Sequence, residues 1–424
     1  MPYAVTPVED CSEDVDTFRE RARLWLKSEL PLRKAERESL DDEARWRHAR
    51  ALQARLFEGG FAGICYPTEY GGQGLSHDHQ RAFNEEARPY ELPTLLNLPS
   101  LAICLPTILE LGTEEQRRRH IPAALRGDEV IVEFLSESHS GSDLAGALTR
   151  AEPHDEGWVI SGAKIWTSSA FAGDYAMCLA RTDWDVPKHK GLTMFLVPVA
   201  HPGVTVRPIR QVNGNSEFCE EFLDDVVVGP EAVLGEVNGG WAVANHRFYY
   251  SRTALGGGNP YVSGSHAESV AQSRGISVGG ADDLRALAAR SGQQPGRLPE
   301  AVVEATVMET VRECLADRIT GGVAAGVLPI EAASMMRLFH AQTDWACVDA
   351  ALPVAGSYLA TGRSTDDADS GAFGEAYLFR QATSLGGGST EMARNVISER
   401  VLSMPREATA DLGIPFKEVR RGRS

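Results

Sequence analysis

The sequence predicts an α+β chain built in three consecutive blocks: helical, then β, then helical again. Three observations predict it. Residues 12–126 carry apolar side chains at three- and four-residue spacing, as on the buried stripe of a helix. From 128 to 228 short β-branched runs recur, separated by turn residues, as in an all-β sandwich or barrel. After Gly239-Gly240-Trp241 the helical spacing returns.

In the first block, Val15, Phe18, Ala22 and Trp25 mark one helix, and residues 42–57 mark a second that stops at Gly59-Gly60. A turn follows at 67–74. Another helix ends at Gly112, and Thr113-x-x-Gln116 is a capping box for the next. Arg117, Arg118 and Arg119 on that helix read as a solvated face. In the second block the expected strands are 130–135, 158–160, 164–167, 175–181, 194–199, 204–209 and 222–228, with Pro198, Pro202 and Pro208 at edges and turns. In the third, residues 241–255 form one helix and 256–280 are Gly/Ser-rich and weakly patterned. Pro299 opens a helix with Val303, Val307, Val311 and Leu315 on one stripe. A further helix spans 331–352, a polar loop 361–369, and a last helix 389–401. The basic tail 417–423 is expected to be flexible. These boundaries give domains at 1–127, 128–238 and 239–404, with a tail at 405–424.

At 424 residues the chain has the length of about three domains. Its net charge of −17 and pI near 5.2 argue against nucleic acid as a partner, because phosphate neutralisation needs a concentrated basic face. The seven cysteines are scattered without a C-x-x-C pair, which argues for reduced thiols in the cytoplasm and against a zinc site. The first residues are acidic and lack the apolar core of a secretory signal. No membrane span is expected, since no 18-residue apolar run is evident.

Chemistry concentrates between Glu129 and Ser169. A β-branched run leads into Ser136-Glu137 and then Gly141-Ser142-Asp143, and a later strand carries Lys164-Ile165-Trp166-Thr167-Ser168. Alone, a Gly-Ser-Asp triplet is an ordinary turn and a strand Trp is ordinary core. In this order and spacing, with 65–74, 111–116, Gly235-Glu236 and 386–407, the chain resembles the acyl-CoA dehydrogenase family over nearly its whole length. The resemblance implies a helical N-terminal domain, a middle β-barrel and a C-terminal four-helix bundle through which subunits pair, as a homodimer, a homotetramer or a hetero-oligomer. It implies FAD as cofactor, an acyl-CoA or acyl-carrier thioester as substrate, and electron-transfer flavoprotein or another acceptor downstream. Carried over position by position, the Phe134-Leu135 backbone and the Ser136 hydroxyl meet the flavin pyrimidine edge. Trp166 lies against the ring and Ser168 reaches N5. Gly141 and Ser142 border the flavin and the substrate path, Arg252 lies on the substrate side, and Ser389 and Glu391 touch FAD.

The family's catalytic Glu occupies one of two places. Here those places are Gly387, inside a glycine run, and Ser251, just before Arg252. Neither is a carboxylate, although the Gly387 N–H still suits an oxyanion donor. Tyr250 adjoins the empty position, but a phenol with an ordinary pKa of about 10 is a poor base. His246, five residues before Ser251, reads as a core or surface histidine. A segment found in many members, Arg followed three residues later by Phe-Gly, has no match between Arg252 and Gly280. Three readings follow: a dehydrogenase with its base elsewhere, a base-less partner subunit of a hetero-oligomer, or a repurposed family member, a tailoring, desulfinase-like or monooxygenase-like flavoenzyme. Gly275-Ile276-Ser277-Val278-Gly279 fits the nucleophile-elbow pattern, but no apolar strand precedes it.

Overall fold

The computed structural model describes residues 13–32, 42–256, 259–264, 281–290, 300–355, 374, 376–409 and 411–419. In the first block, α1 (Val15–Glu29) starts where the Asp14 carboxylate accepts the Asp16 and Thr17 N–H groups, and it buries Phe18, Ala22 and Leu26. It is followed by α2 (Asp42–Glu58) and α3 (His77–Ala87). A single tight turn at Thr94–Leu96 and a wider-wound stretch at Asn97–Cys104, broken at Leu98, then run into α4 (Leu105–Leu111). The expected capping box opens α5 (Glu114–Arg126): Thr113 Oγ1 accepts the Gln116 N–H and Gln116 Oε1 accepts the Thr113 N–H.

Thr94–Leu111 corrects one expectation, because it is long and apolar enough to cross a membrane. It is 78% buried inside the protein, which makes it a core segment here. Its apolar run is masked in the sequence by Asn97, Ser100 and Thr107, all of them buried and hydrogen-bonded.

The middle block is one sheet of eight strands: β1 (Ile131–Phe134), β2 (Arg150–His154), β3 (Gly157–Ser168), β4 (Tyr175–Arg181), β5 (Leu192–Pro198), β6 (Val204–Pro208), β7 (Phe218–Val228) and β8 (Val233–Leu234). The order is β6-β7-β3-β2-β4-β5-β8, and β1 adds to β4 in parallel. Two expected strands, 158–160 and 164–167, are the single strand β3. Its register against β7 shifts at Ile160/Gly162 and again at Ile165/Thr167. β7 begins at Phe218, four residues earlier than expected, because Glu220 and Glu221 disguise its first turn of pairing.

The third block holds α6 (Gly240–Gly256), α7 (Ala281–Arg290), α8 (Glu300–Ala324), α9 (Ala333–Ala355) and α10 (Thr390–Val396). The largest core joins all three blocks: Leu105 and Ile108 of α4, Ile121 of α5, the inner face of the sheet, and Val243 and Ala244 of α6. The valine stripe of α8 is a second correction. Val302, Ala305, Ala316 and Ile319 face the core, whereas Val303, Val307 and Val311 are exposed. The expected loop at 361–369, the elbow pattern at 275–279 and the tail beyond 419 lie outside the described residues. The start of the tail is not free, since Phe416 is buried against the sheet domain.

Candidate active site

The site begins where β1 ends. Phe134 is fully buried, and the Ser136 carbonyl accepts the Ile165 N–H at 3.0 Å, which ties the end of β1 to β3. The Glu137 carboxylate accepts the Leu148 N–H (2.8 Å), the Thr149 N–H (2.9 Å) and the Lys164 ammonium (2.8 Å). Lys164 also donates to the carbonyls of Leu135 (3.0 Å) and Leu179 (2.7 Å). Its three N–H bonds therefore all have acceptors in a dry site. Burial opposes charge on Glu137, but Lys164 and the two backbone donors outweigh it, and the carboxyl is held below its ordinary value. The Glu137–Lys164 pair pins both ends of the loop that carries Gly141, Ser142 and Asp143. Those three residues project into solvent, and a side chain built on Gly141 would meet nothing within 4 Å.

Trp166 sits at the second register shift of β3 with φ +71°, an uncommon conformation for a bulky residue. The bulge turns the indole outward, and 55% of the residue is exposed. Its ring meets Phe218 edge-on at 6.1 Å, and Phe218 stacks on Phe379 at 6.3 Å. The sheet is thereby linked to the segment that leads to Gly386. Ser136 and Ser168 flank this platform, each partly exposed.

Thr167 points the other way. Its hydroxyl lies 2.9 Å from the Glu133 carbonyl and 2.9 Å from Glu221 Oε2. A hydroxyl has one proton and a carbonyl only accepts, so both contacts are satisfied together only when Glu221 donates, as a neutral acid. Burial accordingly pushes the Glu221 carboxyl up to about 7. A folded pKa raised from 4.5 means that stability present below pH 4.5 is lost as pH rises toward 7. Glu221→Gln should therefore remove this slope. Relative to wild type it should be more stable at pH 8 than at pH 5 in urea titrations, and an equal difference at both pH values would refute the assignment.

In the helical block, α6 brings Arg247 against Glu133 as a buried ion pair. Ser251 lies one turn later on that face, 2% exposed. Tyr250 faces elsewhere: its hydroxyl donates to Glu110 of α4, which also meets His246 Nε2 at 2.7 Å. Burial pushes the Tyr250 phenol well above its ordinary value, which disfavours the phenolate that a base at this position would need. Glu110, which the sequence reading passed over, is a carboxylate held below its ordinary value by His246 and Tyr250 against the opposing effect of burial. Burial, with Arg247 nearby, brings the Arg252 guanidinium down to about 10.

The glycine run is held by Arg337 of α9, 1% exposed, which donates twice to the Gly386 carbonyl (3.0 and 2.6 Å) and also to Thr383. Gly387 (φ +75°) and Gly388 (φ +95°) take left-handed conformations that a side chain would strain. Ser389 then caps α10 by accepting the Met392 N–H at 3.2 Å, and Glu391 stands exposed in the first turn. α9 packs on both α6 and α10, so one helix connects the Ser251 and Gly387 positions. Part of the unmatched 252–280 segment lies outside the described residues. An exposed indole flanked by two hydroxyls, with open space over Gly141 and Gly388, fits a planar heteroaromatic cofactor with polar edges.

Family models match in three consecutive stretches: the acyl-CoA dehydrogenase N-terminal domain over residues 12–128, the middle domain over 133–226 and the C-terminal domain over 238–402. The acyl-CoA dehydrogenase IpdE1 of Mycobacterium tuberculosis is 32% identical over 402 residues, 93% of this chain and 99% of that protein. IpdE1 of Mycolicibacterium smegmatis is 31% identical over 417 residues, again 93% and 99%. Among solved structures, the Tcur3481-Tcur3483 steroid ACAD superposes with a TM-score of 0.71 at 24% identity, covering 95% of this chain and 100% of that one. An acyl-CoA dehydrogenase from Geobacillus kaustophilus gives 0.69 at 20% identity, covering 92% and 98%. At these identities the structures show a shared fold.

Proposed function

The chain belongs to the acyl-CoA dehydrogenase family, and from that premise we propose that Trp166, Ser136 and Ser168 form the wall of its flavin site. Members of the family are flavoproteins, and this chain is an acyl-CoA dehydrogenase-like oxidoreductase acting on CH–CH groups of acyl thioesters. The proposed cofactor is FAD, which when bound would supply a hydride acceptor at N5. The Trp166 indole would hold the ring, the Phe134-Leu135 backbone and Ser136 would serve its pyrimidine edge, and Ser168 would donate toward N5. Ser389 and Glu391 at the start of α10 serve the rest of the cofactor.

On the substrate side, Ser142 and Arg252 border the acyl thioester. The Gly387 N–H would polarise the thioester carbonyl and so make the α-carbon more acidic. The open surface around His189, Lys190, Asn238, Trp241 and Asn245 offers amides, a ring and a cation for the carrier. Electron-transfer flavoprotein is the proposed acceptor. The six described cysteines are free thiols, which supports a cytoplasmic setting.

The observation that carries the cofactor assignment is Trp166, turned out by a bulge and left 55% exposed beside two hydroxyls. An absorbance spectrum of the purified protein tests it directly. Trp166→Ala should lower flavin occupancy or shift the flavin band, and unchanged occupancy and spectrum would count against the assignment.

A second reading, the base-less partner subunit, is favoured by Ser251 and Gly387 standing where carboxylates are expected. Either reading requires assembly, and the exposed Val303, Val307 and Val311 of α8 are the proposed contact. Light scattering at micromolar concentration should give a mass well above the 45.9 kDa chain, and Val307→Glu should lower it. A wild-type mass near one chain, rising only with a second gene product, would support the partner-subunit reading.

A further inference from the structure

The C-terminal segment 411–418 lies across the connection between β4 and β5. The Phe416 N–H donates to the Val186 carbonyl (2.9 Å) and the Lys417 N–H to the Trp184 carbonyl (3.0 Å). Pro415 pairs with Pro187, and Lys417 forms an ion pair with Asp185. The Phe416 ring, 3% exposed, lies under the Arg181 guanidinium at 3.5 Å and beside Trp184 at 5.6 Å.

Arg181, at the end of β4, is fully buried and donates to three carbonyls: Ala145 (2.6 Å), Ala147 (3.1 Å) and Lys188 (3.1 Å). Ala145 and Ala147 are the C-terminal limb of the loop that bears Gly141, Ser142 and Asp143. The tip itself is reached through Lys188, whose ammonium bridges Asp143 (2.9 and 3.0 Å) and Asp411 of the C-terminal segment (2.6 Å). The loop tip is itself exposed, and Gly141 has open space around it. Between the ends that Glu137 and Lys164 pin, its position is set from behind by Arg181 and Lys188, and both are held by the C-terminal segment.

We propose that residues 411–418 are a strap that positions the Ser142 loop for the acyl thioester, with Phe416 and Asp411 as its positioning residues. The proposal rests on the reading that Ser142 borders the substrate. A desolvated cation over an aromatic face is attracted strongly, and the ring also keeps water from the Arg181 carbonyl bonds. Without the ring, water competes for those bonds and the loop gains freedom. Binding must then re-order the loop, a cost that falls on substrate affinity more than on the chemical step.

The test uses the full chain with its flavin, in Phe416→Ala, Asp411→Ala and the ring-preserving Phe416→Tyr. Hydrogen exchange at the Gly146, Ala147 and Leu148 amides should quicken by about tenfold in Phe416→Ala, with flavin content unchanged. KM for the best substrate in a panel of saturated acyl-CoAs should rise by about tenfold with kcat within about twofold. Phe416→Tyr should restore both, and Asp411→Ala, a milder change than loss of the buried ring, should show a smaller rise. Unchanged exchange in a folded Phe416→Ala protein overturns the strap. Faster exchange with unchanged KM overturns its link to substrate. A wild type that holds flavin but responds to no acyl-CoA overturns the reading of Ser142, while the exchange data still decide whether the strap holds the loop.

Discussion

Lys164→Met should destabilise the protein by about 3–5 kcal/mol, the usual consequence of removing one partner of a buried ion pair. Lys164 is 1% exposed, and Glu137 opposite it is 6% exposed. Without the ammonium, the buried Glu137 charge loses its cation and keeps the Leu148 and Thr149 N–H groups and the half-exposed His139 ring at 3.3 Å, while the Leu135 and Leu179 carbonyls lose their donor. A surface pair is a useful contrast. Arg47 and Glu43 are 70% and 85% exposed, and separating them should cost no more than about 1 kcal/mol.

The pH dependence separates this mechanism from simple loss of packing. A carboxyl held below its ordinary 4.5 stabilises the fold above that pH and loses the contribution as pH falls through its lower folded value. The deficit of Lys164→Met should therefore shrink in acid. Adding Glu137→Gln should recover part of the loss, because Gln still accepts a backbone N–H without carrying charge. Urea titration at pH 7 and at pH 3 measures both effects. A deficit under about 1 kcal/mol at pH 7, or one that does not change with pH, would sink the account.

Several elements were legible because their signals are local. Thr113 and Gln116 announce the start of α5 by a side-chain pattern alone, and the apolar run of β4 shows both of its ends. The motifs that carry Ser136 and Trp166-Ser168 were readable as an ordered pair, and the fold ties the two together where the Ser136 carbonyl accepts the Ile165 N–H. What was hidden depends on partners far away in sequence. β2 is exposed at four of its five positions, so no hydrophobic pattern marks it. Phe416 looks like one aromatic in a basic tail, and only the fold brings it under Arg181, 235 positions earlier. Glu110 sits in a run of leucines whose helical phase points it at Tyr250 and His246 once α4 meets α6. The α8 stripe misled because two apolar rows share that helix, and periodicity does not say which faces the core of its own chain.

Ser251→Glu should raise the rate of anaerobic flavin reduction by saturated acyl-CoAs by about 10²–10⁴, the typical worth of a positioned general base. That corresponds to about 3–5 kcal/mol of barrier. Ser251 is the better of the two positions. It lies inside α6, where Glu is a good helix former, whereas Gly387 at φ +75° would strain under any side chain. The new carboxylate would enter a buried face one turn from Arg247, which Glu133 already neutralises, and next to Arg252 in sequence. Burial raises its pKa toward the range that suits proton abstraction, and Arg252 limits how far. The added volume at a site 2% exposed costs about 1–3 kcal/mol of stability, less than the stability of a typical domain. Stopped-flow reduction of wild type and variant, at matched flavin occupancy, is the measurement. If wild type already reduces its flavin at tens per second or so, an ordinary rate for an enzyme, the base lies elsewhere. Glu110 is then the carboxylate to remove, as Glu110→Gln, because α4 brings it to the same helix. If neither protein reacts while both hold flavin, the substrate is not a simple saturated acyl-CoA, and the chemistry at Ser251 serves a different thioester.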